Sequence, residues 1–237
     1  GNRLFIYPAA VRGFFQRWRS RFHFVLMVIF LALPWIEIGG HQAVLLDLPE
    51  RKFAFFGLTF WAHDGPLIFF ILGTLVMSLA LVTALYGRVW CGWACPQTVF
   101  IEAVFRRIES FFEGNHIQRR KLDERPMDWN KAWRKVAKWG VYLIASLVIT
   151  HSFLAYFVGS DELVQMVQQP PAENWTPFLV ILITTASILF DFGWFREQFC
   201  IIMCPYGRFQ SVLLDENSLV VAYDEKRGEP RRGVAAS

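Results

Sequence analysis

"PLIFFILGTLVMSLALVTALYGRVWCGWACPQ" occupies residues 66–97. Its first part, Pro66–Tyr86, is uncharged and apolar throughout. The hydrocarbon core of a bilayer takes about 20 such residues as helix, so the run reads as a transmembrane helix. Past its end comes Cys-x-x-x-Cys-Pro. The same pattern returns in "FCIIMCPYGR", Phe199–Arg208, and the two copies hold all four cysteines of the chain.

The rest of the sequence agrees with a membrane chain. Of 237 residues, 54% are hydrophobic and 17% aromatic, with 24 Phe and 10 Trp, which is more apolar surface than a soluble domain can cover. Phe24–Ile36, Trp139–Val158 and Thr176–Phe195 are further apolar runs, the first reaching Ile38 with Glu37 at the interface and the last broken by Asp191. The expected fold is an all-α membrane protein with four transmembrane helices, at 22–38, 66–87, 139–158 and 176–195. The first run lacks the small-residue site of a cleavable signal peptide.

Basic residues cluster on one side of these spans. Arg12, Arg17, Arg19 and Arg21 precede the first, Arg106 through Lys138 lie between the second and third, and Arg196, Arg208 and Lys226 follow the fourth. The loop 159–175 has no base but carries Asp161, Glu162 and Glu173. Cytoplasmic loops hold the Lys and Arg excess, so both ends and the central loop are expected in the cytoplasm. The net charge of +4 is then explained without nucleic acid.

The order helix, outer loop, helix, CxxxCP occurs twice, which is an internal repeat. It divides the chain into a cytoplasmic N-terminal segment (1–21), a first helical hairpin with its motif (22–95), a cytoplasmic amphipathic and basic loop (96–138), a second hairpin with its motif (139–204) and a cytoplasmic segment (205–237). Two hairpins of like topology can be related by a pseudo-two-fold axis along the membrane normal. That axis would gather the motifs at the cytoplasmic face, each preceded by an arginine, Arg88 or Arg196.

Residues four apart share a helix face, so Cys91 can point with Cys95 and Cys200 with Cys204. Proline suits the first turn of a new helix, and one is expected from Pro96. Its side bearing Val99, Phe100, Val104, Phe105 and Ile108 opposes Glu102, Arg106, Arg107, Glu109 and Glu113, as in a helix lying along the inner leaflet. Cytosolic thiols stay reduced, which argues against structural disulfides. Four thiols in matched pairs suit a soft metal or an iron–sulfur cluster. One [4Fe-4S] cluster leads, copper follows, and zinc is weaker because its usual knuckles differ.

Other polar residues are read more plainly. Asp191 is a functional candidate or a partner of Arg196. His23, His41 and His151 could serve haem only by meeting across helices, and packing is favoured for His151. Met203 beside Cys204 reads as packing or an extra soft ligand. Phe53–Trp61, "FAFFGLTFW", is too short to span and reads as an outer interfacial or re-entrant segment with its Trp in the aromatic belt.

The stretches "IYPAAVRGFF", "LLDLPERKFAFFGLTFW", "GRVWCGWACPQTVF" and "CPYGRFQSVLLDENSLVVAYDEKRGEPR" resemble the cytochrome c oxidase accessory proteins of the FixG/CcoG type, and the likeness covers nearly the whole chain. The paired motif is more distantly similar to membrane subunits of quinol-dehydrogenase-like systems. The resemblance implies a polyferredoxin-like protein of the bacterial inner membrane. It implies reduction of Cu(II) to Cu(I) during assembly of cbb3-type cytochrome oxidase, with that oxidase's assembly factors as partners and copper as substrate. Only Cys91, Cys95, Cys200 and Cys204 carry over. The family's soluble ferredoxin domain would follow segment 205–237, so the chain is expected to represent the membrane part or a shortened form. A non-enzymatic copper carrier and a quinol-oxidising subunit stay open as alternatives, as does a homodimer, and no catalytic residue is assigned.

Overall fold

The computed structural model describes residues 7–9, 13–39, 41–47, 52–60, 65–170, 172, 175–214 and 218. Helix α1 (Phe14–Ala32) gives way to a 3-10 turn, Leu33–Trp35. Pro34 causes the break, since it has no N–H to continue the ladder and its ring crowds the preceding turn. Five short strands follow: β1 (Glu37–Ile38) pairs with β2 (His41–Gln42), and β3 (Val44–Asp47), β4 (Lys52–Phe55) and β5 (Leu58–Phe60) form an antiparallel meander. Phe56 (φ 49°) and Gly57 (φ 86°) make the β4–β5 turn, two successive left-handed residues as a tight hairpin demands. The expectation of an all-α chain is thus corrected, and the segment expected to be interfacial or re-entrant is mostly this hairpin. Its Phe-rich strands satisfy their backbone groups by pairing, which a run too short to span cannot do as a lone helix. Trp61 lies outside the described residues.

Ten helices are found among the described residues, α1 and nine after the strands. They are α2 (Gly65–Tyr86), α3 (Val89–Trp93), α4 (Pro96–Phe100), α5 (Arg106–Glu113), α6 (His116–Glu124), α7 (Trp129–Val158), α8 (Ser160–Gln168), α9 (Trp175–Phe190) and α10 (Pro205–Leu213). A π-helical turn, Ile101–Phe105, joins α4 to α5, and two more, Asp191–Phe195 and Phe199–Met203, lie between α9 and α10. Among the described residues three helical segments are long and apolar enough to cross a membrane: Gly65–Tyr86, Trp129–Val158 and Trp175–Phe195. The first expected span, 22–38, is helical only to Ala32 before the proline turn, and its helix begins earlier, through Arg17, Arg19 and Arg21.

Helix α7 is longer than its apolar run. Asp128 caps it by accepting the Trp129 N–H at 2.8 Å, so the basic stretch before Trp139 is helical and carries Lys135 and Lys138 inward. The core gathers Phe100, Ile101, Phe105, Tyr142, Ile149 and Phe192. Phe100 packs on Phe30 and Phe192, and Phe105 on Tyr142, with ring centroids 4.9–5.5 Å apart. The helix expected along the inner leaflet therefore turns its apolar side into protein, against α1, α7 and the turn at Asp191–Phe195. α2 is different: among its residues Thr83 alone is buried, and Phe69, Phe70 and Met77 face outward as lipid-contacting side chains do.

Candidate metal centre

The two CxxxCP motifs share one backbone path. Four residues before the first cysteine of each, the chain leaves its span through a left-handed residue, Gly87 (φ 64°) in one half and Arg196 (φ 50°) in the other. Each motif then closes on itself: the Cys95 N–H donates to Trp90 O at 3.0 Å and the Cys204 N–H to Phe199 O at 2.9 Å. Cys95 (φ −63°, ψ 124°) and Cys204 (φ −71°, ψ 112°) are extended, as a residue before proline must be. Pro96 and Pro205 open α4 and α10. The structural counterpart of Arg196 is thus Gly87, not Arg88.

The halves exchange contacts just past each Cys-Pro. Gln97 Nε2 donates to Asp191 Oδ1 at 2.9 Å, reaching from the first motif to the second half. Tyr206 hydrogen-bonds Thr83 at 2.5 Å, reaching from the second motif back to α2. Gln210, buried, donates to Cys91 Sγ at 3.2 Å. Buried His23 bonds the carbonyl of Gly92, inside the first motif, at 3.2 Å. A Cβ on Gly207 would stand 2.6 Å from the Cys200 carbonyl oxygen, while one on Gly92 would meet nothing within 4 Å. Gly207→Ala should therefore displace the second motif at a cost of about 1–3 kcal/mol, read as a lower unfolding midpoint and lower iron content, with Gly92→Ala leaving both unchanged. Equal behaviour of the two variants would refute this packing.

All four cysteines are free thiols, neither fully buried nor fully exposed. Burial pushes the Cys91 thiol up, with Cys95 and Cys204 adding to it. Burial pushes Cys200 up to about 11, helped by Cys95, Cys204 and Cys91. Each motif thus lies within electrostatic reach of the other. Among the described residues no three of His, Cys, Asp and Glu converge tightly enough to hold one metal ion. Four thiols are the donor type and number that a [4Fe-4S] cluster takes, one thiolate to each iron. A cluster bound at Cys91 would receive the N–H···S bond of Gln210, of the kind that tunes such centres.

The other candidates fall elsewhere. Arg196 does not pair with the Asp191 carboxylate. Its guanidinium grips Glu109 at 3.0 and 3.2 Å, the Tyr142 hydroxyl at 3.0 Å and Gly193 O at 3.2 Å. Arg119 holds Glu109 from another side at 2.8 Å, and Lys135 and Lys138 hold buried Glu113 at 3.0 and 2.7 Å. Burial pushes Glu109 up, but Arg196, then Arg119 and Lys138, hold its carboxyl below the usual range. These acids were expected on the polar side of their helix. A signal was present: Ile101, Phe105, Glu109 and Glu113 follow one another at i+4, on the buried stripe. His151 bonds its own helix at Leu147 O, 2.7 Å, in a packing role, and Met203 is exposed. Of His41 only its place in β2 is described.

Comparison with known proteins bears on the same cysteines. Residues 65–120 match a family model described as a 4Fe-4S binding domain, and residues 195–237 one described as a 4Fe-4S dicluster domain. The matched segments contain Cys91 and Cys95, and Cys200 and Cys204. The chain is 38% identical over 237 residues to the nitrogen fixation protein FixG of Rhizobium meliloti, covering 95% of this chain and 44% of that protein. Protein RdxA and protein RdxB of Cereibacter sphaeroides are each 34% identical, again over 95% of this chain and over 49% and 48% of theirs. Over this length the chain is similar to these proteins. It spans about half the length of these relatives, and no solved structure matches it. Both matched models are of 4Fe-4S domains, so its cofactor is a [4Fe-4S] cluster, on a chain with helices apolar enough to cross a membrane. Its four cysteines are as many as one all-thiolate cluster uses.

Proposed function

We propose that this chain is the membrane electron-transfer part of a protein that reduces Cu(II) to Cu(I) during assembly of a cbb3-type cytochrome oxidase. Its cluster would be held by Cys91, Cys95, Cys200 and Cys204. The observation that carries the ligand set is the crossing of halves at the thiols: Gln210, beyond Cys204, donates to Cys91 Sγ. When bound, the cluster supplies one-electron exchange at the membrane. The protein's own part is to hold the two motifs together through Gln97, Tyr206 and Gln210, and to half-bury the thiols from solvent.

The proposed location is the bacterial inner membrane, with both ends of this chain in the cytoplasm and α1 completing four spans. In support, α1 reaches from His23, bonded beside the first motif, to Phe30, whose carbonyl accepts from Tyr156 near the far end of α7 at 2.8 Å. The basic loops favour the motif side as cytoplasmic.

The test uses the anaerobically purified, chemically reduced protein in detergent, freed of excess reductant and mixed with Cu(II) and a Cu(I)-specific chelator. One Cu(I) should form for each electron lost from the reduced protein's EPR signal. If copper binds with that signal intact, the chain is a copper carrier and the reduction reading fails.

A further inference from the structure

On the motif side of the molecule, α1 and the stretch 102–119 line a half-open cavity of about 260 Å³. It does not include the cysteines. Arg19, Arg106, Arg107 and Arg119 line it with Ser20 and Ser110, and Glu102 is the one acid in the lining. The arginines are partly committed: Arg106 to Glu102 and Glu197, Arg119 to Glu109, and Arg107 to the Ser20 hydroxyl at 2.5 Å. Arg19 stands 3.9 Å from Glu102. The four guanidinium groups outnumber the acids that meet them, Glu102 in the lining with Glu197 and Glu109 behind it, and Glu109 is shared with Arg196, so the cavity stays positive.

Each guanidinium carries five N–H donors, more than these contacts use, and an anion with several acceptor oxygens would take up donors that face the cavity. Guanidinium forks match phosphate oxygens in pairs, and serine hydroxyls can add single bonds.

The surroundings indicate the level at which that anion sits. On α1, beside the cavity, Phe14, Phe15 and Trp18 are exposed, with Arg21 over the Trp18 ring at 5.6 Å. Exposed aromatics among arginines at a helix entrance mark the headgroup layer, and basic pockets between membrane helices bind anionic headgroups. We infer that this cavity is a binding site for a phosphate-ester anion, supplied by an anionic phospholipid headgroup or by a free phosphate. Because His23 also borders the cavity and bonds Gly92 O, an occupant would brace the first cysteine motif.

The experiment follows thermal unfolding of the purified chain in non-ionic detergent. Phosphatidylglycerol, phosphatidylcholine and inorganic phosphate are added separately, with chloride at matched ionic strength as reference. Phosphatidylglycerol should raise the midpoint by about 2–4 °C, and phosphatidylcholine should not. The rise should vanish in the Arg19→Gln/Arg107→Gln double variant, and in Ser110→Asp, which places a carboxylate in the cavity. A rise with phosphatidylglycerol alone identifies the headgroup as the source, and a rise also with inorganic phosphate shows that the free anion suffices. No rise with either, or an equal rise in both variants, would overturn the assignment.

Discussion

Replacing Cys91 with serine should strip the [4Fe-4S] cluster from the purified protein while leaving the chain in the membrane. The same is expected for Cys95, Cys200 and Cys204. Serine is a poor ligand for soft iron, whereas insertion depends on apolar spans that the change leaves alone. Iron and acid-labile sulfide should fall on the order of tenfold or more, since even changes that only support metal ligands cost about 10–100-fold in affinity. The losses should not add: a cluster short of one thiolate is already compromised, so a quadruple variant does little worse than a single one. Because the halves exchange contacts through Gln97, Tyr206 and Gln210, one substitution in either motif should empty the site. Retention of half the iron when one motif is removed would mean two separate two-thiolate sites, and the shared centre would be wrong.

Arg196 should be the most sensitive position outside the cysteines. It turns the chain toward the second motif with φ 50°, and its guanidinium satisfies Glu109 and the Tyr142 hydroxyl in the interior. A non-glycine residue holds such a backbone only where its surroundings enforce it. Arg196→Gln leaves a buried carboxylate short of its main counter-charge, at a cost of about 3–5 kcal/mol. That corresponds to a fall in unfolding midpoint on the order of 10 °C. Glu109→Gln should also destabilise, by leaving Arg196 and Arg119 facing each other. The double variant should cost less than the sum, with a coupling of about 0.5–3 kcal/mol. Glu109 is held below its ordinary value, so its stabilising effect is present above the usual carboxylate range. That effect is lost as pH falls through the lowered value, and the difference between wild type and Glu109→Gln should shrink accordingly in acid. Additive single effects would show that the pair does not act as a unit.

Much of this molecule was legible before any coordinates. Pro66–Tyr86 announces itself by length and lack of charge and Thr176–Phe195 by length despite Asp191, and α2 and α9 with its following turn lie almost where they were expected. The CxxxCP repeat marks the thiols, and the two family matches fall on it. Pattern misled where the partner of a side chain lies far along the chain. Glu109 and Glu113 look solvated by type, yet they meet Arg196, Arg119, Lys135 and Lys138 in the interior. The short strands between α1 and α2 were missed because each is stable only through its neighbour.

The sequence by itself determined a membrane chain with two matched thiol pairs, because hydrophobic length and ligand spacing are local properties. It also determined that helices break at Pro96 and Pro205, since each proline acts on its own turn, though the break at Pro34 was not read from it. Only the tertiary structure decided which half touches which thiol, through Gln210 on Cys91 and through Gln97 and Tyr206 reaching across. It likewise decided that Arg196, though not a glycine, adopts the left-handed turn before Cys200. That choice rests on Glu109, 87 residues away in the chain, and a backbone strain offset by so distant a charge leaves no trace in local pattern.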